Sequence, residues 1–151
     1  MKLCILGGGL TGLSLAKSLV KKGLSIDIFL NKKKSDFNRS RTIGISNDNL
    51  MYFNKEILDI KKLSWDIKKI EIYSDNLRNE KILNFENNNK TVFAIIRNYQ
   101  LQSKLLKSLK KDKLCKFKQN FDYNLSNLKK YKLIINLSLI HISEPTRLRS
   151  I

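Results

Sequence analysis

The sequence predicts an α/β fold in which a βαβ unit feeds a partly parallel sheet that carries a small antiparallel insertion. Three observations carry this expectation. Residues 2–6, KLCIL, are an unbroken apolar run ending at glycines, the pattern of a strand buried on both faces. From Leu10 to Lys22 the residues Leu10, Leu13, Ala16, Leu19 and Val20 recur at three- and four-residue spacing opposite Lys17, Lys21 and Lys22. That is an amphipathic helix, closed by Gly23 as its C-cap. LSIDIFL at 24–30 is then a second strand, and a helix joining two parallel strands requires a right-handed crossover.

The later elements follow from the same patterns. After the polar connection NKKKSDFNRS comes RTIGIS at 41–46, then a helix around Asp48 to Phe53. DIKKIEIYS at 66–74 reads as one strand through Ile67, Ile70 and Ile72. EKILNF and TVFAIIR, at 80–85 and 91–97, read as two strands joined across the Asn-rich turn NFENNNK. NYQLQSKLLKSLKK at 98–111 is helical, with Leu101, Leu105, Leu106 and Leu109 on one face. KLCKFK and YKLIIN, at 113–118 and 131–136, are short strands of the kind that return to a parallel sheet.

Composition narrows the function classes. At 151 residues the chain has room for one domain with a real core, or is a piece of something larger. The formal charge of +17 comes mostly from Lys scattered through an Asn- and Ile-rich chain, which reads as a solvated surface. A nucleic-acid partner would need those cations gathered on one face with aromatic residues between them, so none is expected. Cys4 and Cys115 lack Cys-x-x-Cys spacing and read as buried reduced thiols. The N-terminal apolar run is too short for a secretory or membrane segment, which predicts a cytoplasmic protein. No metal site is expected.

The glycines carry the chemistry. Gly7, Gly9 and Gly12 satisfy G-x-G-x-x-G directly between a buried strand and a helix, the context that makes this pattern a dinucleotide-binding signature of Rossmann type. Gly7 permits the tight turn, Gly9 lets a pyrophosphate approach the backbone, and Gly12 lets the helix pack closely on the sheet. Gly7, Gly9, Leu10, Thr11 and Gly12 are therefore the candidate cradle, where the helix start offers unpaired N–H groups and a positive dipole end. The acid that reads an adenosine ribose should close the second strand, yet that position is Leu30, followed by Asn31. Asp27 has the opposite side-chain parity to Ile26 and Ile28 and should face away. Asn31 remains able to hydrogen-bond a hydroxyl, and Lys32, Lys33 and Lys34 to meet a 2′-phosphate. The glycine loop alone thus leaves FAD and NADP both open.

CILGGGLTGLSLAKSLVKKGLSIDIF, SRTIGIS at 40–46 and IIRNYQLQSKLLKSL at 95–109 together resemble the N-terminal part of the flavin-dependent aromatic-ring hydroxylases, closest to those of ubiquinone biosynthesis. The resemblance spans roughly residues 2–111. It implies a Rossmann-like FAD-binding βαβ unit, with Arg41 after the second strand and Gln102 at the start of a later helix as cofactor contacts. It further implies a monooxygenase that uses NAD(P)H and O₂ to hydroxylate an aromatic quinone precursor, a prenylated phenol. The cofactor would do the hard step while the protein orients the ring and excludes water. A lipid-soluble substrate implies work at the periphery of the inner membrane or in a multi-enzyme association. The resemblance identifies no catalytic acid or base. The alternative is another FAD- or NADP-dependent oxidoreductase with the same dinucleotide-binding start.

Texture changes at residue 137. LSLIHISEPTRLRSI contains no Lys or Asn, yet holds the only His and the only Pro, His141 and Pro145. It resembles translated sequencing-adapter DNA. The expected organisation is therefore an incomplete FAD-binding domain over 1–136 and a non-native tail over 137–151. The hydroxylase family continues after a strand like YKLIIN into a Gly-Asp motif for the flavin's ribityl chain and pyrophosphate. The front portion alone is expected to be inactive.

Overall fold

The computed structural model describes residues 2–30, 39–75, 80–88, 90–119 and 129–137. Asn31, Lys32 to Lys34 and nearly all of the suspected tail lie outside them. The chain divides into two compact units, Met1–Lys34 with Lys107–Ile151, and Ser35–Leu106.

The first unit is built on a four-stranded parallel sheet. Its strands β1 (Lys2–Leu6) and β2 (Ser25–Leu30) are joined by helix α1 (Leu10–Lys21), as the periodicity predicts. The helix stops in a complete Schellman motif: Gly23, at φ 79°, donates to the Val20 carbonyl and Leu24 to that of Leu19. The third and fourth strands of this sheet lie late in the chain, at Cys115–Gln119 and Leu133–Asn136. Their order places Cys115–Gln119 beside β2 and Leu133–Asn136 on the far side of β1. The α1 face of β1 carries Leu3 and Ile5; the opposite face packs Cys4 and Leu6 with Tyr131, Phe29 and Ile134. Burial on both faces explains why β1 reads as a continuous apolar run rather than an alternating one.

The second unit contains two antiparallel sheets. Strands β3 (Thr42–Ser46), β4 (Ser64–Ile67), β5 (Lys69–Tyr73), β6 (Lys81–Glu86) and β7 (Phe93–Arg97) are arranged as β3-β7-β4 and as the hairpin β5-β6. Helix α2 (Asn47–Tyr52) starts with Ser46 Oγ accepting from the Asn49 amide and continues into a π-turn over Phe53–Ile57. Helix α3 (Asn98–Lys110) follows β7 directly and buries Leu101, Leu105 and Leu109 at four-residue spacing. The strands Cys115–Gln119 and Leu133–Asn136 are accordingly β8 and β9.

One expectation is corrected here. The strand expected over 66–74 is two strands in different sheets. Trp65 and Ile67 pair across β7 while Ile70 and Ile72 pair with Phe85 and Leu83, so the chain changes partner at Lys68. The Asn-rich segment joins β6 to β7, as expected, and the two strands it joins lie in different sheets. It turns through Asn88 at φ 41°, a backbone state that asparagine tolerates better than most residues. In the β5-β6 hairpin Glu71 is bracketed by Lys69 and Lys81, and these ion pairs hold its carboxyl well below the usual carboxylate range.

Candidate functional site

In the first unit the glycine loop lies at the carboxyl end of β1. The sheet grows from β1 through β2 to β8 on one side and is completed by β9 on the other, so the strand order reverses at β1, the switch point where open α/β sheets bind ligands. The Gly7 amide donates to the Phe29 carbonyl and the Leu137 amide to that of Leu6, fixing the backbone on either side. Gly7 has φ 121°, which excludes a side chain on conformational grounds. Gly12 is excluded sterically, because a Cβ there would lie 2.2 Å from the Gly7 carbonyl oxygen. Gly9 differs from both: it is extended, at φ −74° and ψ 176°, and a Cβ there would meet nothing within 4 Å. The space above Gly9 is open.

Gly9 is also the N-cap of α1, which has no side-chain cap and no acid in its first turn. Leu10 and Thr11 open that turn. Its amides and the dipole end are left without a carboxylate competitor, which suits a diphosphate. These residues fit the phosphate portion of a dinucleotide. They do not supply the ribose acid: at Leu30, where it is expected, an aliphatic side chain leans over Gly8 so closely that a Cβ on Gly8 would be 2.2 Å from Leu30 Cδ2.

Asp27 turns away from any such role. It is fully buried, with Oδ2 accepting from Tyr131 Oη at 2.6 Å and paired with Lys118 Nζ at 2.7 Å and Lys2 Nζ at 3.0 Å. Burial works to raise its pKa, but the hydrogen bonds from Lys118, Tyr131 and Lys2 outweigh it and hold the carboxyl below its ordinary value. Burial and the neighbouring Asp27 charge push Tyr131 up to about 12. The parity argument that turned Asp27 away from the ribose could not supply these partners, which come from β1, from β8 and from Tyr131, two residues before β9. Cys4 and Cys115 are free and buried, and burial raises both thiols to about 11.

The second unit carries its own concavity, a cleft of about 800 Å³ on the β3-β7-β4 sheet. Register places Thr42 opposite Arg97, and Trp65 opposite Ile95 on the adjacent rung. Arg39, Ser40, Leu63 and Gln100 complete the lining. On the same sheet face, Gly44 gives room to Phe93, whose Cε1 would lie 2.1 Å from a Cβ at that position. Arg41 is exposed, and its carbonyl accepts from the Asn98 amide at 3.0 Å; Gln102 sits half-buried in the second turn of α3. The cleft is lined by sequence neighbours of these two residues rather than by the residues themselves. Arg39, Trp65 and Arg97 were not legible as a group, because their association depends on the β3-β7-β4 pairing. The Asn98 Oδ1 is buried without a hydrogen-bond partner among the described residues. Among the described residues no His, Cys, Asp or Glu cluster could hold a metal, and no helix is long and apolar enough to cross a membrane.

Solved structures match this arrangement of elements. The structure of p-nitrophenol 4-monooxygenase from Pseudomonas putida aligns with TM-score 0.63 and 16% identity over 78% of this chain and 31% of that one. The chain shares the fold of FAD-dependent monooxygenases. PqsL from Pseudomonas aeruginosa, described as "a probable FAD-dependent monooxygenase", aligns with TM-score 0.63 and 13% identity over 79% of this chain and 32% of that one. For 2-methyl-3-hydroxypyridine-5-carboxylic acid oxygenase the values are 0.58 and 18%, over 78% of this chain and 31% of that one. The chain thus spans about a third of the length of these enzymes. No family model and no curated protein matches it by sequence.

Proposed function

We propose that this chain is the dinucleotide-binding front portion of an FAD-dependent monooxygenase that hydroxylates an aromatic quinone precursor, a prenylated phenol, with NAD(P)H and O₂ as co-substrates. The observation that carries the reading is the contrast within one loop. Gly12 is filled by backbone and Gly9 faces open space at the switch point of a parallel sheet. The shared fold with FAD-dependent monooxygenases supports FAD over NADP as the resident group, and the aromatic compounds in those enzymes' names support an aromatic substrate.

In this reading Gly9 admits the pyrophosphate, and the amides of Leu10, Thr11 and Gly12 with the α1 dipole hold its charge. Asn31, Arg41 and Gln102 are further contacts to the cofactor. When bound, reduced FAD supplies the activation of O₂ for transfer to an electron-rich ring. The chain's own part is to bind and orient, and the substrate's solubility in lipid suits an enzyme working at a membrane periphery.

Equilibrium dialysis of the chain against FAD and against NADP⁺, for wild type and Gly9→Val, tests the assignment. The expected result is saturable flavin binding by wild type, at least tenfold weaker in Gly9→Val while the circular-dichroism spectrum is unchanged. Binding of NADP⁺ without FAD would favour a pyridine-nucleotide oxidoreductase instead.

A further inference from the structure

We propose that Leu30 sets the specificity of the cofactor site: the chain holds an adenosine diphosphate by its phosphates and offers the ribose no charged acceptor, so that 2′-deoxyribose is taken nearly as well as ribose. The inference rests on the dinucleotide reading of the glycine loop and adds to it which part of the ligand is read.

Position gives the first argument. In dinucleotide-binding βαβ units a carboxylate about 20 residues beyond the glycines accepts from the ribose 2′-hydroxyl. In this chain β2 ends on Leu30 at that place. Ile26 and Ile28 stand beside Leu3 and Ile5, on the face that α1 covers, and Leu30 follows them in phase. Its contact confirms the side, because a Cβ on Gly8 would lie 2.2 Å from Leu30 Cδ2 and 3.7 Å from its Cγ. The leucine fills the niche left by the missing side chain of Gly8, beside the loop that holds the diphosphate in this reading.

Register gives the second. β2 is laddered to β1 on one side and to β8 on the other, with Leu30 itself opposite Gln119. A slip that exchanged its faces would break both ladders. The acid within β2, Asp27, is fully buried on the opposite face, where Tyr131, Lys118 and Lys2 converge on its Oδ2. Turning it toward the loop would forfeit all three charge-assisted contacts. β2 therefore presents an aliphatic side chain to the ribose and keeps its carboxylate for the sheet.

Chemistry gives the third. A hydroxyl laid against leucine methyl groups loses water and gains no partner from them. A hydrogen bond to a carboxylate is worth about tenfold or more in affinity, and one to a neutral amide, such as Asn31 would bring, is worth less. Removing the 2′-hydroxyl should accordingly cost this chain little.

Isothermal titration calorimetry with ADP and 2′-deoxy-ADP tests the proposal on the wild-type chain, Leu30→Glu and Leu30→Gln. Both ligands carry the same phosphates, so repulsion by an added charge cancels in the ratio of their affinities. The expected result is saturable binding of both by wild type, with affinities within about tenfold of each other. In Leu30→Glu the ratio should shift toward ADP by at least about tenfold, and in Leu30→Gln, of matched size without the charge, by less. Far-ultraviolet circular dichroism checks that each variant keeps the fold, and the wild-type ratio stands without them. A wild-type preference for ADP above about tenfold would overturn the proposal, since it requires a charged acceptor elsewhere in the chain. An unchanged ratio in folded Leu30→Glu would overturn it too, because position 30 would then not face the ribose. Either result alongside saturable FAD binding leaves the dinucleotide reading intact, whereas failure to bind both ADP and FAD sinks that reading and this inference together.

Discussion

Gly12 and Gly9 sit three residues apart and should respond to different degrees to the same added methyl group. At Gly12 a Cβ would be 2.2 Å from the Gly7 carbonyl oxygen and 3.5 Å from Ile5 Cγ2. The first is a backbone atom that cannot rotate aside, so α1 must move off β1 by several tenths of an ångström or more. Overpacking of this kind costs about 1–3 kcal/mol, and the helix preference of alanine over glycine returns at most about 1 kcal/mol. A net loss of about 1–2 kcal/mol corresponds to a fall in Tm of roughly 2–8 °C for a chain of this size. Gly9→Ala meets no atom and keeps an ordinary extended backbone, losing only the modest N-cap advantage of glycine, under about 1 kcal/mol. Thermal and urea denaturation followed by circular dichroism measures both. If Gly12→Ala unfolds with wild type, or Gly9→Ala falls as far as Gly12→Ala, the close approach of helix to strand is not what fixes glycine at 12.

Other outcomes follow from the buried charge and the thiols. Asp27→Asn should destabilise the chain at neutral pH by about 1–3 kcal/mol, the scale of a lost charge-assisted hydrogen bond, with Lys2 and Lys118 able to reach water. Because Asp27 has a folded pKa below its unfolded value, its contribution is fully present above the unfolded value. It is lost as pH falls through the folded one. Acid denaturation of Asp27→Asn should therefore show a shallower dependence on pH than wild type; identical slopes would remove Asp27 from the account. Cys4 and Cys115, raised to about 11 by burial, should react with Ellman's reagent at pH 8 only after denaturant is added, and rapid reaction of the native chain would contradict their burial.

What the sequence disclosed depended on how far apart the interacting residues lie. β1, α1 and β2 were legible because each is specified by its own periodicity and the glycines between them have local duties. The Schellman stop at Gly23 and the buried thiols were legible for the same reason. The split of 66–74 showed only as a one-residue change of phase between Trp65 and Ile67 on one side and Ile70 and Ile72 on the other, and it takes the partners β7 and β6 to turn that shift into two strands. Parity turned Asp27 from the ribose, but its ion pairs come from Lys2 and Lys118, on strands whose adjacency no local pattern announces. The cleft escaped notice because Arg39, Trp65 and Arg97 look like scattered exposed residues until three strands are paired.

The strand order of the parallel sheet also governs the sequence of events as the chain is made. β2 pairs on one side with β1, which precedes it closely, and on the other with β8, which is synthesised only after the whole of the second unit. The β5-β6 hairpin and the β3-β7-β4 sheet can close on contacts within their own stretch, while β8 and β9 must each find a partner across a long loop, the slow step in forming sheets of this type. Until then the free edge of β2, with Ile26 and Ile28, stands open to other chains. Ribosome-bound intermediates that end before β8 should consequently be the form of this protein most dependent on chaperones.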